Sequence, residues 1–290
     1  MPLPSRAAPA ALLLLLLAPP AAAEEADLPT PNAADISGSR AMAMGDAFRA
    51  VASSNEAIFF NLAGLALSEK YEVDAGYTFN RSDDLGRLNF SVTDSRTARV
   101  AAGLAYTRLT GTGADGDVAG HVGNLGVGFP FSDAGSLGVG IKYLNFDDPD
   151  PTNAVTADVG VLIRAGDWVR IGAAGYNLID VKSVEAPLGA GGGVSVGEET
   201  SFRAAFDTVF DLSKSDRTPV SLHGGAEYLV AGQFPVRAGF KRIDDTDRNY
   251  LSFGAGYLTQ EFGLEGAYVQ NLRNGETRDR TFSATLKLFL

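Results

Sequence analysis

His121 and His223 are the only histidines in this chain of 290 residues, and Glu227 shares the alternation parity of His223 four positions later. A histidine oriented by a carboxylate is the arrangement of a general base. Same-face residues four apart on a strand, however, lie roughly 13 Å apart, too far for a direct hydrogen bond. No serine or other nucleophile is placed beside them. With Arg237 and Lys241 following at strand spacing, an interior polar network accounts for the pair better than catalysis does. No catalytic residue and no enzyme activity are therefore expected. Two histidines and no cysteine leave no set of ligands for a transition metal. Asp147, Asp148 and Asp150 could offer oxygens to calcium, but a solvated loop broken by two prolines explains them better. The run from Gly189 to Gly197 is not a phosphate loop, since no lysine follows and no helix starts there; small residues lining a crowded interior explain it. No metal and no cofactor are expected.

A larger set of charges falls on one face of alternating segments. Glu72, Asp74, Arg87, Arg99, Lys142, Asp158, Arg164, Arg170, Arg203, Asp207, Glu227 and Arg237, with His223, all point to a common interior. A selective pore would favour one sign. Mixed signs instead indicate internal ion pairs. The formal charge of the whole chain is −11, which argues against nucleic acid as a partner.

Positioning such a network requires a wall with a period of two. From Tyr71 to Leu290 the chain breaks into segments of roughly 10 to 14 residues that alternate apolar with polar or small residues. Tyr71, Val73, Ala75, Tyr77 and Phe79 oppose Glu72, Asp74, Gly76 and Thr78; Phe282, Ala284, Leu286, Leu288 and Leu290 oppose Ser283, Thr285 and Lys287. The segments predict strands near 70–80, 86–94, 97–109, 118–131, 135–146, 153–165, 167–178, 188–197, 200–212, 218–230, 233–243, 249–258, 261–271 and 279–290. Short turns (Ser132 to Gly135, Gly166, Glu198-Glu199, Ala231-Gly232, Thr259-Gln260) follow even-numbered strands. Longer polar loops, such as Gly111 to Asp117 and Asp180 to Leu188, follow odd-numbered ones. A soluble sandwich has no reason for that asymmetry, whereas outer-membrane barrels have short periplasmic turns and long external loops. Strands of about eleven residues, tilted by about 40°, cover on the order of 25 Å, the height of the hydrocarbon band.

The ends agree with this. Arg6, the Leu12 to Leu17 run, two prolines and Ala21-Ala22-Ala23 have the form of a secretory signal peptide. No later stretch is apolar for the eighteen or so residues a spanning helix needs, so a closed barrel is the remaining way to cross a bilayer. The expected organisation is a signal peptide over 1–23, an N-terminal plug over 24–68 and a transmembrane β-barrel over 69–290. The fold class is an all-β membrane barrel of about fourteen antiparallel strands with a small helical plug in the lumen. It would sit in a bacterial outer membrane with both termini periplasmic. The C-terminal strand, with Phe282 and a terminal Leu290, resembles the signal read by the barrel-assembly machinery.

The stretch from Ile36 to Leu67 reads differently: it looks helical and interior, with Met42, Phe48 and Val51 among small residues. Gly38, Arg40, Met44-Gly45, Ala47, Ala50, Ala57 and Asn61-Leu62-Ala63-Gly64-Leu65 resemble the N-terminal signature of the PorV/PorQ family, within the FadL-type superfamily of outer-membrane barrels. That family's motif has proline where this chain has Leu62. The resemblance implies a plug inside the barrel and passive transport of hydrophobic small molecules, through a ligand surface where plug meets wall at Ile58, Phe59, Phe60, Asn61, Leu62 and Gly64. It equally implies a protein-binding alternative, cargo escort or scaffold in a secretion or other envelope machine. The partners expected are outer-membrane lipid, a hydrophobic small molecule and a secreted or envelope protein.

Overall fold

A computed structural model describes residues 36–67, 69–81, 84–113, 116–147, 152–183, 185–214, 217–272 and 279–290. The stretch expected as a signal peptide and the start of the expected plug segment lie outside these residues, as do Asp148 and Asp150. Fourteen strands follow one another around a closed antiparallel barrel: β1 Tyr71–Asn80, β2 Leu85–Asp94, β3 Ala101–Gly113, β4 Gly116–Ser132, β5 Gly135–Asp147, β6 Thr152–Arg164, β7 Val169–Tyr176, β8 Gly189–Gly197, β9 Phe202–Asp211, β10 Val220–Val230, β11 Phe234–Ile243, β12 Arg248–Leu258, β13 Phe262–Asn271 and β14 Arg280–Phe289. β1 closes on β14 from Glu72↔Phe289 to Asn80↔Thr281.

Alternation sets the two faces. Tyr77, Leu104, Leu125, Ile141, Phe206, Phe253 and Leu286 are exposed on the outer surface, while Glu72, Asp74, Arg203, Asp207, Glu265 and Lys287 are buried. This polarity is the inverse of a soluble protein's and suits a wall whose outside meets hydrocarbon. Among the described residues no helix is long and apolar enough to cross a membrane.

Strand boundaries differ from the sequence-based expectation by up to four residues, and at three places the difference has a visible local cause. β3 starts at Ala101 because the Asp94 carboxylate accepts the backbone N–H groups of Arg96 and Thr97 (3.0 and 2.9 Å), turning the chain. Arg99 therefore lies exposed in the β2–β3 connector and not in the lumen. The glycine- and threonine-rich stretch at 111–117, expected as a loop, extends the β3–β4 hairpin to the Gly113↔Gly116 pair; composition suggested a loop, but the paired backbone needs no apolar face there. β7 stops at Tyr176, where Asn177 takes a left-handed conformation (φ 52°) and the chain turns inward.

The lumen is occupied by residues 36–67: α1 (Ser39–Ala43), a 3-10 turn at Ser54–Glu56 running into α2 (Ala57–Phe60), and a second 3-10 turn at Leu62–Leu67. α1 packs against β11 to β14, and the second 3-10 turn against β3 to β6. The wall admits them because it carries glycine where the plug backbone touches it. A Cβ on Gly138 would stand 2.2 Å from Leu62 C and Ala63 N, one on Gly172 2.1 Å from Arg49 O, and one on Gly225 2.2 Å from Met44 O. The neighbouring Gly224 has nothing within 4 Å. Gly225→Ala is accordingly expected to destabilise the folded barrel by about 1–3 kcal/mol through overpacking, with Gly224→Ala close to neutral. Urea unfolding of the two variants in detergent checks the contrast.

Candidate functional site

The plug's helices are short, so most of its backbone groups lack helical partners, and side chains of the wall supply them. Tyr176 donates its hydroxyl to Phe60 O (2.6 Å), Ser136 to Ala63 O (2.8 Å) and Ser252 to Ala43 O (3.1 Å). His223 Nδ1 stands 2.8 Å from Gly45 O, an arrangement in which that nitrogen carries the proton. Asn61, inside the plug, donates to Arg49 O (2.8 Å) and across to Val161 O of β6 (3.0 Å). Ser39 shares hydrogen bonds with Ser283 and Thr285 of β14 (2.9 and 2.8 Å).

Buried ion pairs tie the same two parts together. Arg40 grips Glu227 with two donors (3.0 and 2.7 Å); Glu227 also accepts from Arg237 (2.6 Å), which reaches on to Glu265 (2.7 Å). Arg49 pairs with Asp207 through its guanidinium (3.1 Å) and its backbone N–H (2.8 Å). Lys241 holds Asp46 at 2.8 Å. Burial works against ionisation of Asp46, but Lys241 and His223 outweigh it and leave the carboxyl below its ordinary value. Glu199, in the β8–β9 turn, shows the same contest: burial raises it, and the Arg40 and Arg203 guanidiniums bring it down to about 2.

Of the interior charges expected from alternation, Glu72, Asp74, Arg203, Asp207, His223, Glu227 and Arg237 all lie buried in the lumen, most of them in contact with the plug. Lys142 pairs with Asp158 (2.9 Å) on a separate side of the barrel. Arg87 is buried on β2. Arg164 is exposed at the end of β6, beside Arg170, which is half-buried. His223 and Glu227 do not meet; each turns to a different part of the plug. Sequence reading set Lys287 on the inner face of the last strand and Arg40 in the N-terminal signature without assigning either to the network, and it missed Glu265, Arg49, Asp46 and Glu56. Alternation in β13 could have found Glu265, but nothing in the spacing points to the pairing of the plug residues.

The expected ligand surface is packed shut. Ile58, Phe60, Asn61 and Leu62 are buried, and Phe59 is partly so. Leu62 fills the hollow left by Gly126 and Gly140, where an added Cβ would stand 2.2 and 2.7 Å from its δ-carbons. Gly64 lets the plug fold on itself, with Ala52 O 2.2 Å from where its Cβ would be. A second apolar cluster lies nearer the β3–β4 hairpin end of the wall, where Leu109, Val122, Leu144 and Phe146 face the lumen beside Ile36, Phe59, Val181 and Ala186. The β7–β8 connector covers it, held by Asn177: Lys142 donates to its Oδ1 (3.0 Å), its N–H to Asp158 (2.7 Å) and its Nδ2 to Pro187 O (2.8 Å). Beside this connector the β6–β7 ladder runs only from Val159↔Gly175 to Arg164↔Arg170.

No family model and no curated protein matches the sequence. Solved structures do share its fold. The monoaromatic hydrocarbon channel CymD superposes with a TM-score of 0.66 at 13% identity, over 87% of this chain and 96% of that one. The Ralstonia pickettii toluene transporter TbuX gives 0.61 at 14%, over 87% and 98%. A Pseudomonas aeruginosa FadL homologue gives 0.60 at 15%, over 91% and 99%. The chain therefore has the fold of FadL-type outer-membrane barrels.

Removing Arg237 leaves Glu227 with Arg40 and Glu265 with Lys287 as their remaining cations, in a buried network already short of positive charge. Arg237→Met should cost about 3–5 kcal/mol, whereas Lys214→Met, which removes an exterior pair with Asp245 (2.6 Å), should cost less than about 1 kcal/mol. Denaturant titrations of both variants measure the difference.

Proposed function

We infer that this chain lies in the outer membrane with both termini periplasmic and passes hydrophobic small molecules passively, the conformation described being the closed one. The observation that carries this reading is the apolar patch of Leu109, Val122, Leu144 and Phe146 on the lumen face of β3 to β5, apart from the cluster that seats the plug. The wall does not need it, since hydrocarbon meets the other face. An apolar solute would gain roughly 25 cal/mol per Å² buried against such a surface once the cover lifts. The cover is the plug's leading edge and the 177–188 connector, and both are fastened by polar contacts that can exchange with water. The fold shared with a monoaromatic hydrocarbon channel and a toluene transporter supports the same solute class.

The resemblance to the PorV/PorQ signature supports a second reading, a non-conducting barrel that escorts cargo or serves as a scaffold for a secreted or envelope protein. The observation favouring it is the filled lumen, with the plug tied to five of the last six strands through buried polar contacts.

Toluene flux into proteoliposomes separates the two. Under the transport reading wild-type barrel carries toluene faster than empty vesicles do, and Asn177→Gly raises the rate several-fold. That substitution keeps the left-handed backbone and removes the side-chain bonds that hold the connector. Flux equal to empty vesicles for both proteins, with a stoichiometric protein retained on mild extraction, would establish the second reading instead.

A further inference from the structure

Lys287 is surrounded by more negative charge than it can neutralise. Asp74 (3.2 Å), Glu72 (3.3 Å), Glu265 (3.6 Å) and Glu56 (3.9 Å) converge on its ammonium group. Glu265 continues through Arg237 to Glu227 and Arg40. This connected chain sets five carboxylates against three cations, and extending it through Glu199 to Arg203 adds one of each. Two negative charges remain in a buried, weakly screened place, where an unpaired ion costs several kcal/mol by typical estimates.

The excess has a location. Glu56 is 2% exposed, and neither of its carboxylate oxygens has a hydrogen-bond partner among the described residues; the same holds for Asp74 Oδ1 and Asn55 Oδ1. All three residues line one cavity of about 20 Å³ between the plug and strands β1, β2 and β14, with Thr78, Asn89 and Ser91 beside them. The lining offers two carboxylates, amides and hydroxyls, a hard-oxygen donor set. Among the described residues no group of three acidic or histidine side chains is arranged to hold a metal, so the neutral oxygens must complete any shell. Calcium accepts such mixed, irregular shells, whereas magnesium keeps several waters and a space of this size holds about one water.

We propose that the cavity between Glu56 and Asp74 binds one calcium-class divalent cation, clamping the plug to β1, β2 and β14. The proposal stands independently of whether the lumen conducts. Burial raises the Glu56 carboxyl above its ordinary value even against Lys287, so protons are the competing source of neutralisation.

The test uses full-length barrel in detergent, stripped with EDTA at pH 7.5 and titrated calorimetrically with calcium and with magnesium. A single-site calcium isotherm, tighter than that for magnesium and accompanied by a higher unfolding temperature, is expected. Glu56→Gln and Asp74→Asn should each abolish the isotherm; either variant serves if the other fails to fold. Calcium that gives neither heat nor a shift in wild-type unfolding overturns the proposal and assigns the neutralising charge to protons. Calcium heat that persists in both folded variants overturns it as well, by placing the ion elsewhere.

Discussion

The constraint on which this structure depends is that a barrel facing hydrocarbon must turn its polar residues inward, where each charge then needs a partner. Alternation fixes the outward apolar positions, so the inward ones are free to be polar, but low screening in the lumen penalises any that stay single. Here the partners come from the plug. Arg40, Asp46 and Arg49 meet Glu227, Lys241 and Asp207, and the plug's unpaired carbonyls meet Ser136, Tyr176, His223 and Ser252. Neither part is complete alone: the helices are too short to be stable by themselves, and the wall without them would expose buried charge to a water-filled lumen.

What could be read in the sequence follows from the same constraint. Strand number, order and most boundaries were legible because the membrane imposes a period of two over a set height, and Tyr71–Asn80 obeys it without exception. Where the chain leaves the bilayer the rule lapses. Gly111 and Thr112 could be paired strand while looking like loop, and Arg99 could keep the right parity while sitting in a turn made by Asp94. The site was half legible. Glu227 and Asp207 announced themselves as interior by parity, but their partners in the plug lie more than 150 residues away, and no local pattern encodes that pairing. Leu62 was visible as a departure from the proline of the signature it resembles; that it fills a hollow among Gly126, Gly138 and Gly140 could be known only once β4 and β5 were placed side by side.

Glycine explains how a lumen of fourteen strands closes over a plug with little space left between them. Each inward glycine gives up side-chain contacts and strand preference, yet it lets backbone meet backbone, and the polar residues beside it then reach plug carbonyls directly. The division is visible within single strands: in β10, Gly225 makes room for Met44 while His223 and Glu227 on either side bind Gly45 and Arg40.

The sequence separation of these contacts bears on the order of events during assembly. Ser39 meets Thr285 across 246 positions, Asp46 meets Lys241 across 195 and Arg49 meets Asp207 across 158. Chains dominated by such distant pairings fold slowly, because closing long loops costs entropy before any contact repays it. The segment at 36–67, which precedes every strand, thus completes its seat only after the last strands have been delivered. Until then Phe48 and Phe60 have little beyond each other and the early strands to pack on, and exposed apolar groups of this kind are what make incompletely folded chains prone to aggregate.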